Sequence, residues 1–493
     1  MTARLGLASL DRLPDRVARP GYDPRARGVG IVHLGVGAFH RAHQAAYADD
    51  ALAAEPGDWR IAGVSLRSTG IADALDAQDG LFTVVERSAA GDRARVVGSL
   101  ARVLAAARDP DAVLAALADP RVRVVTLTVT EKAYGIDRAT GDIDPLHPAV
   151  AADLASPRAP QGVLGLLVEG LRLRRASSTP PFAVLCCDNL PENGGLVRTG
   201  VLALARRVEP DLARRLADEV AFPSSMVDRI TPAPTDGTLA LAERLTGLAD
   251  AAAVETEPFS QWVVEDRFPQ GRPAWEAGGA LFVSDVAPYE RMKLRMLNGA
   301  HSLIAYAGFL AGCPYVRDAM ADAHLARLVR RHMAAAAATL DPLSGIDLGR
   351  YADDLAARFG NPAIAHETYQ IAMDGTEKLP QRIAEPAMDC LRQGGDTRPF
   401  AFALAAWARY CLGVSEAGER YALRDPREDR IAAAIAAAGR DATQIVRGLL
   451  SLPGVFPTPL SEDEAFIRSA AEVFGRIHLH GVRAAVAEEV ARA

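Results

Sequence analysis

Val29-Gly-Ile-Val-His-Leu34, followed at once by Gly35-Val-Gly37 and then by a helix-like run from Phe39 to Leu52, reads as the opening of a βα unit. A short apolar strand gives way to a glycine turn. The first glycine permits the tight turn, and the second lets backbone approach a pyrophosphate seated on the helix N-terminus. His40 stands where the third glycine of a dinucleotide fingerprint is usual. Taken alone, the turn therefore also reads as a strand-to-helix connection with no ligand. Gly35, Gly37, Phe39, His40 and Arg41 are the candidate coenzyme contacts, with His40 and Arg41 expected to flank a phosphate. His33, His40 and His43 invite a metal reading, but a strand residue and two helix residues need not converge, and no Cys or carboxylate cluster completes a site. No metal is expected.

Outward from this turn, strands and helices alternate. Arg60–Ser65 reads as a second strand, Leu81–Val85 and Ala94–Val97 as further strands in a hairpin, and Arg121–Val129 as the strongest strand signal. The Pro181–Cys187 strand follows an apolar helix around Gly162 to Leu173. Such alternation predicts a mostly parallel, doubly wound α/β sheet. From Pro288 onward the pattern turns helical, with runs at Tyr289–Leu310, Asp318–Leu340, Leu348–Phe359, Pro399–Cys411, Asp429–Leu450 and Glu462–Arg492. The predicted domains are 1–285 and 286–493, behind a polar arm over residues 1 to 28 carrying prolines at 14, 20 and 24.

Length and composition agree with two domains. A chain of 493 residues exceeds one ordinary core. Its net charge of −7, with arginines spread along the chain, argues against a nucleic-acid partner. No apolar run is long enough for a membrane span, and no apolar signal core precedes Asp11 and Arg12. Five cysteines without metal-type spacing fit a reducing, cytoplasmic setting.

The residues that carry chemistry begin with Lys293-Leu-Arg-Met-Leu-Asn298-Gly-Ala-His301. On an α-helix Asn298 lies about 140° and His301 about 80° around from Lys293, one wide face. Hydride transfer without a metal needs a base for the alcohol proton, a neutral donor for the alkoxide and a group that orients the hydroxyl; lysine, asparagine and histidine supply these. The same triplet also fits an amphipathic helix whose polar residues fall together. Asn189, in Asp188-Asn189-Leu-Pro-Glu192-Asn193-Gly194, follows a strand end and is a second amide candidate or part of a polar turn. Glu131 places a carboxylate at the same sheet edge. Arg67, after the second strand, reads as a contact to a 2′-phosphate, a stacking partner for adenine or a solvated cation, so NAD is not separated from NADP. Arg229, Glu265 and Asp266 read as ion pairs packing an interface. Lys378 and Arg382 read as a solvated face or as an anion clamp.

Together these segments resemble the polyol-specific long-chain dehydrogenases, the family of mannitol 2-dehydrogenase and fructuronate (D-mannonate) reductase. The resemblance rests on Gly35-Val-Gly-Ala-Phe-His-Arg-Ala-His-Gln44, Thr128-Val-Thr-Glu-Lys132, Cys187-Asp-Asn-Leu-Pro-Glu-Asn-Gly194, Phe222-Pro-Ser-Ser-Met-Val-Asp-Arg-Ile-Thr-Pro232 and Tyr289 through His301. It implies a Rossmann-type sheet domain followed by a mostly α-helical C-terminal domain, no metal, NAD as coenzyme, and a monomer or weak dimer. By motif it implies Lys293 as general base, Asn189 and Asn298 as the oxyanion site, and His301 as substrate-orienting. Glu290, with Glu131, would relay the proton, and Asp228 would contact substrate. Met292–Gly299, Gln370–Gly375 and Lys378–Arg382 are more similar to the fructuronate reductase branch, since the mannitol branch usually carries arginine where Gln370 stands. The expected reaction is the NAD(P)-dependent interconversion of D-fructuronate and D-mannonate, with Lys378 and Arg382 facing the uronate carboxylate. A mannitol or arabinitol dehydrogenase, a coenzyme-binding regulator and a metal-dependent dehydratase are the competing readings.

Overall fold

The computed structural model describes residues 2–137, 140–343 and 345–492, and of Glu131 only the backbone. The chain divides into two units, Met1–Ala287 and Pro288–Ala493.

The first unit is built on five parallel strands: β1 Val29–Leu34, β2 Arg60–Ser65, β3 Leu100–Ala105, β4 Val124–Leu127 and β5 Ala183–Cys186. Their order across the sheet is β3-β2-β1-β4-β5, so the chain reverses direction of winding between β1 and β4. A sheet covered on both faces needs apolar residues on both, which is why β1, β2 and β5 read as continuous apolar runs. The pleat still sorts them: Val32, Leu34, Val125 and Leu127 pack with the Val163–Ala176 helix, whereas Ile31, Ile61 and Val124 pack with Ala45, Ala48 and Trp262. Each fully buried Val, Leu or Ile is worth about 1.5–3 kcal/mol.

Leu81–Val85 and Ala94–Val97 form the expected hairpin, observed as Phe82–Glu86 against Arg93–Val97 and extended by Val254–Thr256. A three-stranded sheet of Ser225–Asp228, Gln261–Glu265 and Leu281–Val283 was not expected from the sequence. The N-terminal arm is docked rather than loose. Leu5, Leu13 and Val17 join a small core with Leu81, Val96 and Leu248, and the Tyr22 hydroxyl donates to Asp49 at 2.8 Å.

The second unit is helical, and three of the long runs are broken at signals present in the sequence. The Asp318–Leu340 run is two helices, Val316–Ala321 and Ala323–Ala338, because Asp322 accepts from the amides of His324 and Leu325 and starts a new helix. Gly439 (φ 65°) ends Glu428–Ala438, with Asp441 capping Ala442–Leu450. Gly481 (φ 82°) separates Glu464–His480 from Val482–Ala491. Gly299–Leu310 and Arg398–Tyr410 are buried nearly throughout. None of the helices among the described residues is long and apolar enough to cross a membrane.

Candidate active site

In the first unit, Gly35 adopts φ 103°, and a Cβ there would lie 2.2 Å from the Thr128 carbonyl oxygen on β4's exit. Only glycine satisfies both the left-handed backbone and that approach. At Gly37 a Cβ would meet nothing closer than 3.8 Å, which leaves room beside the backbone. His33, with no exposed surface, shares hydrogen bonds with Thr126 Oγ1 (2.7 Å) and Thr128 Oγ1 (2.8 Å). It thereby ties the β1 exit to β4. Its ring stacks on His40 at 3.4 Å between centroids, 13° from parallel.

His33 and His40 thus meet face to face, whereas His43 stacks on Phe39 and shares a hydrogen bond with the Gln261 carbonyl. His40 has no exposed surface, its ring lying against that of His33. Among the described residues no three His, Cys, Asp or Glu side chains group as a metal would need. The helix expected to run from Phe39 breaks at His43 (φ −119°, ψ −92°) into Ala38–Ala42 and Gln44–Ala54. Phe39 is half-buried and stacks on His43. Arg41 is 5% exposed; its Nε and Nη1 have no hydrogen-bond partner among the described residues, and burial lowers its pKa to about 10. A buried cation so placed is stabilised by an anion. Arg67 is exposed at the end of β2, where Asp73, the next acid along, is paired with Arg108 at 2.6 Å.

Along the same sheet edge, Asp188 fastens two strand ends together. Its carboxylate accepts from the amides of Val129 (3.2 Å) and Thr130 (2.9 Å) and from the Tyr134 hydroxyl (2.6 Å). Burial raises its pKa, against those hydrogen bonds. Asn193 donates to the Asp188 carbonyl (2.9 Å) and exchanges bonds with Ser225, fixing the 188–193 loop against the strand that ends at Asp228. These two residues hold Asn189, which is exposed, and Asp228, which is 5% exposed. The Glu131 side chain lies outside the described residues.

In the second unit, Lys293–Asn298 is a π-helical turn between the α-helices Ala287–Met292 and Gly299–Leu310. This corrects the single-helix expectation. Hydrogen bonding at a step of five residues sets positions 293 and 298 nearly one above the other, where α geometry would set them about 140° apart. Arg295 anchors the far side of the turn, donating to Thr339 O and Oγ1 (both 2.9 Å) and to Asp389 (2.5 Å). Lys293, Asn298 and His301 are each 7% exposed. Asn298 Nδ2 and His301 Nε2 have no hydrogen-bond partner among the described residues. Such groups are costly unless a ligand completes them. Glu290 is half-buried one turn before Lys293.

A second π turn, Pro380–Ala384, carries Arg382. It approaches closely because residue 299 is glycine: a Cβ there would lie 3.0 Å from the Arg382 carbonyl and from His332 Nε2. The Arg382 guanidinium donates to Ser302 Oγ (3.3 Å), and burial lowers its pKa to about 10. Burial holds the His301 pKa well below its ordinary value; His366, Arg358, Arg382 and Lys293 press it further in the same direction. The imidazole is therefore neutral, with the guanidinium groups of Arg358 and Arg382 and the Lys293 side chain near it. Its ring also lies 4.5 Å from Phe359 and 5.4 Å, edge-on, from His366.

Lys378 is engaged elsewhere, which corrects the two-cation clamp. Its ammonium donates to the carbonyls of Met373 (2.6 Å) and Ile371 (3.4 Å) and pairs with Asp374 at 3.7 Å, closing the end of the Thr368–Ala372 helix. Arg358 and His366 were missed by the sequence reading. Arg358 had a signal: with Tyr351 and Leu355 it falls at i, i+4, i+7, on the apolar face of Leu348–Phe359. His366 sits in an irregular segment and had none.

Comparison with known proteins agrees with this architecture. Residues 29–277 match the mannitol dehydrogenase Rossmann domain, and residues 285–478 the mannitol dehydrogenase C-terminal domain. The chain is 43% identical over 478 residues to the uncharacterized oxidoreductase YeiQ of Escherichia coli strain K12, covering 96% of this chain and 97% of that one. It is 41% identical over 479 residues to the D-mannonate oxidoreductase of the same organism, covering 96% and 98%. Among solved structures, the ternary complex of Pseudomonas fluorescens mannitol 2-dehydrogenase with NAD and D-mannitol superimposes with a TM-score of 0.85 at 36% identity, covering 99% of this chain and all of that one.

Proposed function

The chain belongs to the mannitol dehydrogenase family of oxidoreductases, and from that premise we propose that it is an NAD-dependent reductase interconverting a keto-uronate, D-fructuronate, and its aldonate, D-mannonate. The observation that carries the substrate class is the neutral His301 with Arg358 and Arg382 beside it, a positive lining suited to a carboxylate. The relative named D-mannonate oxidoreductase supports the same choice.

The first unit's residues fit a dinucleotide. Gly35 and Gly37 open backbone at the point where the strand order reverses, and Arg41 carries buried donors without partners. NAD, when bound, supplies the hydride acceptor in oxidation and, reduced, the donor in the reverse direction. The absence of an acid at the end of β2 leaves NADP(H) to be tested beside it.

The chain's own residues do the remaining work. Lys293 takes the hydroxyl proton in oxidation and returns it to the carbonyl oxygen in reduction. Asn298 Nδ2 donates to the oxygen as charge develops on it; losing such a donor costs about 10²–10³ in rate. His301 Nε2 orients the hydroxyl, and Glu290 passes the proton on from Lys293. Arg382, with Arg358, holds the carboxylate. Asn189 and Asp228 are assigned to substrate by the family resemblance.

The test is oxidation of NADH, then NADPH, with D-fructuronate and D-fructose in parallel. Turnover of fructuronate alone, lost in Lys293→Ala, is the expected result. Turnover of fructose instead would establish the second reading, a mannitol or arabinitol dehydrogenase, which the likeness to the mannitol complex favours.

A further inference from the structure

Arg229 is one of the most constrained side chains in the first unit, and nothing in the proposed chemistry uses it. Only 5% of its side chain is exposed. Its Nη1 donates to the Ala42 carbonyl at 2.5 Å, its Nη2 to Glu86 at 2.7 Å, and Nε and Nη2 both to the Glu257 carbonyl at 3.2 and 3.0 Å. Ala42 is the last residue of the single turn that begins right after Gly37, and its carbonyl stands at the His43 break. Carbonyls at a helix end lack an intrahelical donor, so an arginine there supplies both a hydrogen bond and a favourable charge.

The neighbouring residue is held from the same place. His43 Nε2 shares a 3.0 Å hydrogen bond with the Gln261 carbonyl, and Gln261 is the strand partner of Asp228. Two consecutive residues past the glycine turn are thus fastened to the end of one strand pair. The residue directly before Arg229 on that pair is Asp228.

We propose that Arg229 is a positioning residue: by tying the Ala42 carbonyl to the strand that ends at Asp228, it sets the Gly35–Ala42 backbone for the coenzyme and links coenzyme affinity to the placement of Asp228. The proposal rests on the dinucleotide reading of that turn. A free strand end would let the turn and Asp228 settle independently; the guanidinium, with acceptors from three segments, removes that freedom. By linkage, coenzyme binding then favours the arrangement in which Asp228 is placed for substrate, and substrate favours the coenzyme-ready turn by the same factor.

The test uses the full-length protein and NADH, followed by quenching of tryptophan fluorescence; Trp262 lies 5.8 Å from His43 and reports on this region. Arg229→Gln is expected to raise the NADH dissociation constant about tenfold and to raise the KM for D-fructuronate more than it lowers kcat. Glu86→Gln, which keeps Arg229 and its bond to Ala42, is expected to stay within about threefold of the unaltered protein. Arg229→Lys, a single-point donor, is expected to fall between, and it carries the test alone should Arg229→Gln fail to fold. Parental NADH affinity in the arginine variants overturns the proposal and leaves the coenzyme reading intact. So does an equal loss in Arg229→Gln and Glu86→Gln that follows a lowered melting temperature, because that would mark a purely structural role. Failure of the unaltered protein to bind NADH at all overturns the coenzyme reading, and this proposal with it.

Discussion

Acidification is expected to unfold each unit through histidines that remain neutral while folded. His33 in the first unit and His332 in the second have no exposed surface, and burial pushes their pKa values down to about 3 and about 4. An unfolded chain protonates histidine with a pKa of about 6.5. Between these values the unfolded state binds a proton and the native state does not, so stability is fully present above about pH 6.5 and drains away as pH falls. From about pH 7 to about pH 5, each histidine shifts the balance by about 2 kcal/mol towards unfolding. His40, His301 and His366, also lowered by burial, act with the same sign. Asp49, Asp153, Asp188 and Glu385, raised by burial, act oppositely, since the folded state protonates them first as pH falls. The assay is equilibrium denaturant unfolding of the parent and of His332→Gln at both pH values. The glutamine variant cannot titrate, so its loss between the two pH values should be smaller by about 2 kcal/mol. Equal losses in parent and variant would refute the reasoning, because His332 would then be protonating in the folded state.

Four further outcomes follow from the geometry. Lys293→Ala should lower turnover by about 10²–10⁴ while NADH binding, measured by fluorescence, is retained. Gly35→Ala, which forces a Cβ to within 2.2 Å of the Thr128 carbonyl at φ 103°, should cost the first unit at least about 1–3 kcal/mol and weaken NADH binding; an unchanged melting curve would contradict the close approach. Gly299→Ala needs Arg382 or His332 to give by a few tenths of an ångström, so kcat should fall with little change in NADH affinity, read from steady-state and binding data together. Arg382→Ala should raise the KM for fructuronate about tenfold or more, whereas Lys378→Ala should lower the melting temperature through the lost carbonyl bonds and leave that KM near the parental value.

Local pattern was enough for the outline of this protein. Unbroken apolar runs at Val29–Leu34 and Pro181–Cys187 marked strands buried on both faces, and the glycines at 35 and 37 marked the turn, because backbone conformation and single-element burial are written in neighbouring residues. The same held for helix starts and stops: Asp322, Asp441 and Gly481 were visible, though the longer helical periodicity around them was read through. The set Lys293, Asn298, His301 was legible as chemistry, but not as geometry. A helical period says which residues share a face; it does not say whether the backbone bonds at a step of four or five, and the π turn that lines up Lys293 with Asn298 sits where Arg295 is held by Thr339 and Asp389. Partners of long side chains were out of reach for the same reason. Lys378 and Arg382, four residues apart, looked like a pair until the fold gave one to the carbonyls of Ile371 and Met373 and the other to Ser302. Arg229 read, with Glu265 and Asp266, as an ion pair packing an interface until Ala42, Glu86 and Glu257 met around it. Which acceptors surround a buried charge depends on segments far apart in the chain, and only their packing brings those segments together.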